Sequence, residues 1–229
     1  MSLIFVCHLL AGCGTWHARP ERSDRSIGLH KALITADRIV INRISVNDAV
    51  APTLQWNRTI EEFRKYVCGE VIVNDVIGVT VPTDENGYIT GSQSVDLDEV
   101  GPHSITVIFL PKMKGDKRGV CSTNYDGKQQ VSRQVVRYNK DKIDGAAFMF
   151  VSKEQVWEMV LLHELGHALG VPANPSHIWD VGHCTNPCCV MYPKPDFRSV
   201  CAFFFHGFPN DFCQECRAEL LSVKEQARR

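Results

Sequence analysis

Apolar and polar positions along this chain change period several times, and each change marks an element. Arg38 to Val46 alternates enough to be a strand. Thr59 to Val67 brings Ile60, Phe63 and Val67 to one side at helical spacing, and Gly69 follows as a stop. Glu70 to Val81 is rich in β-branched residues and predicts a strand pair or one bent strand. Asp84-Glu85-Asn86-Gly87 supplies a turn, and Ser104 to Leu110 is a second clear strand closed by Pro111. Lys112 to Arg118 is a charged, glycine-containing loop. Gln134 to Tyr138 reads as an edge strand, Ala146 to Val151 as a short buried strand, and Cys213 to Gln226 as a closing helix.

The best-signalled helix runs from Ser152 to Gly170. Ser152 with Gln155 three residues on is a capping-box pattern, and good helix formers follow up to the glycine. Val156, Val160, His163 and His167 fall along one stripe, while Trp157, Leu161, Leu165 and Ala168 fall along another. Apolar residues on most sides imply burial under a sheet. Polar groups in such a helix need partners, since each one buried alone costs about 1 to 3 kcal/mol. Residues 163 to 167, His-Glu-Leu-Gly-His, suggest the partner. Side chains four apart on a helix lie one above the other, so His163 and His167 can present two imidazoles to one metal ion. Glu164, offset by one residue, stands where a general base takes a proton from metal-bound water.

The totals narrow the classes. A chain of 229 residues suits one large domain, and a formal net charge of -1 with scattered Lys and Arg argues against nucleic acid as a partner. No apolar run approaches the roughly 20 residues that cross a bilayer. Six of the ten cysteines lie between Cys184 and Cys216. Crowded beside histidines, they point to metal ligation more than to a distributed disulfide framework, although disulfides gain ground outside the cytosol. Leu10-Ala11-Gly12-Cys13 resembles the lipobox of bacterial lipoproteins, and Thr15 to Ser26 is polar and linker-like. Cys13 is therefore an expected lipidation site, with a membrane-anchored, extracytoplasmic protein implied and a cytoplasmic one as the alternative.

A catalytic zinc normally has three protein ligands and a water, so the helix needs a third. Gly170 follows His167 as in the metzincin pattern HExxHxxGxxH, but the position for the third histidine holds Ala173. Farther on, His183-Cys184-Thr185-Asn186-Pro187-Cys188-Cys189-Val190-Met191 and the later Cys213-Gln214-Glu215-Cys216 resemble the archaemetzincin signature: a histidine followed at once by C-x4-C-x-M and later by C-x-x-C. The resemblance covers residues 163 to 216 and implies an insertion of ten residues between Gly170 and His183. It implies that His183 is the third ligand of a catalytic zinc, that Cys184, Cys189, Cys213 and Cys216 hold a second, structural zinc, and that Met191 is the Met-turn residue beneath the catalytic site. Independently, C-x4-C with C-x-x-C has the spacing of four-cysteine zinc sites, and such a site would pin the segment carrying His183. Cys188 in place of Cys189 is open at this point. So is His177, or a carboxylate such as Asp180, Glu215 or Glu219, in place of His183. Tyr192 is either a packed aromatic or an oxyanion stabiliser.

The expected fold is α/β: a single metzincin-like domain over residues 27–229, with a twisted mixed sheet, a backing helix and an active-site helix over 27–170, and a Cys-rich carboxy-terminal part over 171–229. Residues 1–26 would be lipoprotein signal and linker. The expected function is a monomeric zinc peptidase with Glu164 as general base and a peptide or protein as substrate. By analogy with metzincins, the substrate would lie extended along the exposed edge strand. The alternatives are a zinc-stabilised binding protein without catalysis and a metal-dependent hydrolase that is not a peptidase.

Overall fold

The computed structural model describes residues 29–88, 103–115, 117–126, 131–146, 151–180, 182–193 and 209–229. The expected lipobox with Cys13, and also Cys201, lie outside them. A short helix α1 (Lys31–Ile34) leads into β1 (Arg38–Val46), then α2 (Thr53–Arg64), β2 (Glu70–Val79), β3 (Ser104–Leu110), β4 (Gly119–Asp126) and β5 (Val131–Asn139). After these come α3 (Lys140–Asp144), α4 (Lys153–Leu169), a small hairpin of β6 (Ile178–Asp180) and β7 (His183–Cys184), and α5 (Gln214–Ala227).

The five main strands form one mixed sheet in the order β2-β1-β3-β5-β4, parallel throughout except for β4, which runs antiparallel to β5. Strand periodicity sends alternate residues to opposite faces. Ile39 and Ile41 of β1, Ile105, Val107 and Phe109 of β3, and Val136 and Tyr138 of β5 belong to the main core, with Trp56, Ile60 and Phe63 of α2 and Trp157, Leu161 and Leu165 of α4. Ile44, Val46, Ile108 and Val135, one register position off, form a smaller apolar cluster. The second face thus also buries apolar residues, as expected of a largely parallel sheet. Opposite Asn42 to Ile44, β2 carries an extra residue, a bulge that makes it the single bent strand allowed by its sequence.

Aromatic rings fix the distance between the helices and the sheet. Phe109 stacks on Tyr138 with centroids 5.3 Å apart, meets Trp56 edge-on at 5.8 Å and lies 6.2 Å from Trp157. The buried Tyr138 hydroxyl donates to the Leu161 carbonyl at 3.0 Å, so the ring that fills the core also satisfies its one polar atom and ties β5 to α4. The ends of α4 are closed. Ser152 Oγ accepts from the Gln155 amide, while Gln155 Oε1 accepts from the Ser152 amide, which completes the capping box. At the other end Gly170 turns the chain with φ 79°, and the otherwise orphaned carbonyls of Ala168 and Leu169 accept from His30 Nδ1 and the His30 amide.

Three readings of the sequence change. The helix read at Thr59–Val67 begins six residues earlier and ends at Arg64, with Val67 buried just after the turn that follows. Its first turns mix an exposed Leu54 and polar residues with the core residue Trp56; Gln55 and Thr59 are buried, and Thr59 Oγ1 donates to the Gln55 carbonyl at 2.8 Å. Gln134–Tyr138 is part of an interior strand, not an edge; the edge is β4, whose pairing to β5 covers it. Ala146 lies in a turn and Val151 in an isolated bridge, while the rest of that expected strand lies outside the described residues.

Because Phe109 is fully buried among three other rings, Phe109→Ala is expected to lower the unfolding free energy by about 3 to 5 kcal/mol. The urea midpoint should fall with little change in slope, and a loss below about 1 kcal/mol would show that this contact does not organise the core.

Candidate functional site

Helix α4 carries His163 and His167 one turn apart, and their Nε2 atoms stand 3.1 Å from each other. The hairpin β6–β7 brings a third ring alongside: His183 lies 5.4 Å from His163 and 5.0 Å from His167 between centroids. One ring nitrogen from each histidine lies within 4.8 Å of the others. His163 Nδ1–H donates to the Val190 carbonyl at 2.7 Å, which fixes its tautomer and leaves the Nε2 lone pair facing the cluster. Burial, and then the neighbouring His183, pull His163 down to about 4, and burial holds His167 well below the ordinary histidine value. Both rings are therefore neutral at neutral pH. Lone pairs that converge so closely repel unless a proton or a cation sits between them, so this donor set fits a divalent ion.

Beside the histidines, Glu164 is 5% exposed and its Oε2 has no hydrogen-bond partner. Burial pushes its carboxyl up to about 8, with Lys117 pulling the other way. The first residue of β4 lies directly against it: a Cβ placed on Gly119 would be 2.4 Å from Glu164 Oε1 and 2.5 Å from its Cγ. A second glycine, the Gly166 of the pentapeptide, makes room beneath the histidines. A Cβ there would be 2.4 Å from the sulfur of the fully buried Met191 and 2.9 Å from Phe212. Met191 thus packs under the turn that joins the two helix histidines.

The four cysteines Cys184, Cys189, Cys213 and Cys216 are buried, with all four sulfurs within 4.8 Å of one another. Cys184 and Cys213 are 3.7 Å apart, as are Cys189 and Cys216. A tetrahedron with about 2.3 Å from centre to sulfur has edges of about 3.8 Å, so the set fits a zinc-sized ion, whereas a disulfide needs about 2.05 Å. Backbone amides aim at the sulfurs: Cys213 N–H at Cys189 Sγ over 3.2 Å, and Asn186 N–H at Cys184 Sγ over 3.3 Å. Cys188 is half-buried and is not among the four cysteines whose sulfurs lie within 4.8 Å of one another, whereas Cys189 is.

His177 is not near the histidine pair. Its Nε2 lies 3.4 Å from Cys216 Sγ and 3.2 Å from Glu219 Oε1. Glu219 is likewise no ligand of the histidine cluster, because its carboxylate accepts the amides of Ala173 and Asn174 at 2.7 and 3.0 Å. Glu215 is exposed, and the side chain of Asp180 lies outside the described ones. Tyr192 packs edge-on against Trp179, with centroids 6.0 Å apart. Sequence reasoning missed Gly119, whose role has no local signal. It also missed the pairing of His177 with Glu219, although Cys213, Cys216 and Glu219 at three-residue spacing do announce a shared helix face.

No protein-family model and no curated protein matches the chain. Among solved structures, the chain is similar to archaemetzincin from Methanopyrus kandleri at 18% identity and TM-score 0.48, over 82% of this chain and 97% of that one. Archaemetzincin from Archaeoglobus fulgidus is similar at 17% identity and TM-score 0.41, over 80% and 99%. Metalloproteinase-II from Bacteroides fragilis is similar at 13% identity and TM-score 0.44, over 89% and 56%. At these identities and scores the likeness decides nothing about chemistry; the side chains do.

The buried carboxyl of Glu164 has a consequence for stability. An ordinary glutamate ionises near 4.5, so between 4.5 and about 8 the folded chain keeps a proton that the unfolded chain has lost. The contribution is full below 4.5 and is lost as pH rises through about 8. His163 works in the opposite sense over a lower window: its contribution is present above 6.5 and is lost as pH falls through about 4. His163 and His167 still titrate in the unfolded chain at the lower end of the range from 6.5 to 8, so over that range the Glu164 contribution is the difference from Glu164→Gln, which leaves both histidines in place. In protein stripped of divalent ions, unfolding free energy should fall across that range by up to about 1.4 kcal/mol per pH unit, and Glu164→Gln should flatten the slope. Equal slopes from urea midpoints of the two proteins would refute a buried proton at this position.

Proposed function

We propose that this chain is a zinc-dependent peptidase in which His163, His167 and His183 hold the catalytic zinc, Glu164 is the general base, and Cys184, Cys189, Cys213 and Cys216 hold a second, structural zinc. The observation that carries the reading is the convergence of three ring nitrogens within 4.8 Å, two of them on rings held neutral, beside a buried carboxylate oxygen with no partner. A divalent ion bound there supplies Lewis acidity and brings the ionisation of a water into the neutral range. Glu164 does the rest of the proton handling. Left alone it is protonated at neutral pH and is no base; a nearby positive charge returns it to the carboxylate form. It then takes a proton from the attacking water and delivers it to the leaving nitrogen.

An extended peptide suits the surroundings. Strand β4 is the outermost of the sheet, and its first residue lies against Glu164. A peptide added as a further strand would run past the base with its backbone in register and would need no side-chain pocket to be held. Gly119 then has two tasks, to let the strand approach and to leave the carboxyl in place.

The test is a peptide library with zinc measured per chain. Glu164→Gln should keep its zinc and lose about 100- to 10,000-fold in kcat, whereas His183→Ala should lose one of two zinc ions together with activity. Full turnover by Glu164→Gln, or a zinc-loaded protein that cleaves esters and no peptide, overturns the peptidase reading. Gly119→Ala offers a finer check. Its methyl would overlap Glu164 from Cγ to Oε1 and so must displace that side chain, and kcat/KM should drop at least tenfold with zinc content nearly unchanged. An active Gly119→Ala enzyme would mean that the carboxyl does not work from this position.

A further inference from the structure

Twelve residues separate Gly170 from His183, and their course is organised by one face of α5. Glu219 lies three residues after Cys216, on the same side of the helix. Its carboxylate receives two successive amides at the start of the segment, those of Ala173 and Asn174. The segment then turns, with the His177 amide on the Asn174 carbonyl at 3.2 Å, and the His177 carbonyl accepts from the amide of Thr185 at 2.8 Å. The backbone of His177 is thus fastened to the residue after Cys184. Its ring is 8% exposed and turns Nε2 toward Cys216 and Glu219, while Nδ1 has no partner. Among the described residues, the ring's polar contacts are at Nε2.

We propose that His177 is a positioning residue of the four-cysteine site: its Nε2–H donates to the sulfur of Cys216, and Glu219 orients the ring while clasping the inserted segment to α5. The inference rests on the reading of the four cysteines as zinc ligands. Four thiolates around a divalent ion leave a net charge of about -2 in a buried place, and such charge needs donors aimed at the sulfurs. The backbone supplies one to Cys189 and one to Cys184. Cys216 receives its donor from a side chain, and that side chain belongs to the segment that delivers His183. Filling the cysteine site therefore strengthens a contact that orders the segment, and loosening the segment weakens the cysteine site.

Cobalt(II)-substituted full-length protein tests this, read through the thiolate-to-cobalt charge-transfer band, with zinc release to a chelator followed alongside. In the wild type the band should be present. In His177→Ala it should shift to lower energy, and zinc should leave the cysteine site about 10 to 100 times more readily. His177→Gln, which keeps an N–H donor, should recover most of both. Glu219→Gln, with the ring less firmly held, should fall between. A wild-type protein without the band, with all four thiols reactive, overturns the zinc reading of the cysteines and this inference with it. A wild-type band that His177→Ala leaves unshifted, with unchanged zinc release, overturns the positioning role alone. Should His177→Ala fail to fold, an unshifted band and unchanged release in Glu219→Gln do the same.

Discussion

The packing of three ionisable side chains into one helix, Glu164 buried and His163 and His167 half-buried, is the constraint on which the rest of the molecule depends. Helix α4 is packed on nearly every side, yet in five consecutive residues it carries His163, Glu164 and His167. Water would stabilise the charged forms of all three, and removing it keeps the imidazoles neutral and the carboxyl protonated. A single cation held by the rings near the carboxyl would reverse that balance. The imidazole lone pairs would then have a partner, and Glu164, whose Oε2 has no hydrogen-bond partner, would be favoured in its ionised form.

Such a site works only if the helix cannot shift, and the surrounding structure answers that need. The capping box and the His30 contacts hold the two ends of α4, and the stack of Phe109, Tyr138 and Trp157 holds its middle against the sheet. Glycine appears where backbone or side chain must come close. Gly166 admits Met191 beneath the histidines, and Gly119 admits the edge strand above Glu164.

Local signals made α4 legible to the residue, because the capping pair, the apolar stripes and the terminal glycine agree with one another. Ser104–Leu110 was equally clear, since it is buried almost throughout and ends at a proline. Strand order was not legible. Periodicity shows that Gln134–Tyr138 is extended but not which strand lies beyond it, and β4, with a glycine, a serine, an asparagine and an aspartate in eight residues, hardly announces itself as a strand. The start of α2 was hidden in the same way, because its first turns expose an apolar Leu54 and bury a polar Gln55, the reverse of what a local pattern displays. At the site, adjacency to Cys184 distinguished His183. The contact of His177 with Glu219 joins residues 42 positions apart in the chain, and no spacing rule reaches so far.

The adjacency of His183 and Cys184 links the two clusters mechanically. Side chains of neighbouring strand residues point to opposite sides, so the two residues of β7 can face two different centres, the histidine cluster on one side and the cysteine cluster on the other. The loop that follows repeats the arrangement: Cys189 joins the sulfurs, while the carbonyl of the next residue, Val190, holds His163 in its tautomer. The Cys184 amide donates to the Met191 carbonyl at 2.9 Å and closes the loop on itself. A third imidazole borne on a hairpin of so few residues has little rigidity of its own. The cluster of sulfurs one residue away holds that hairpin, so in the proposed peptidase a filled cysteine site would act without touching the substrate, by keeping His183 beside the two helix histidines.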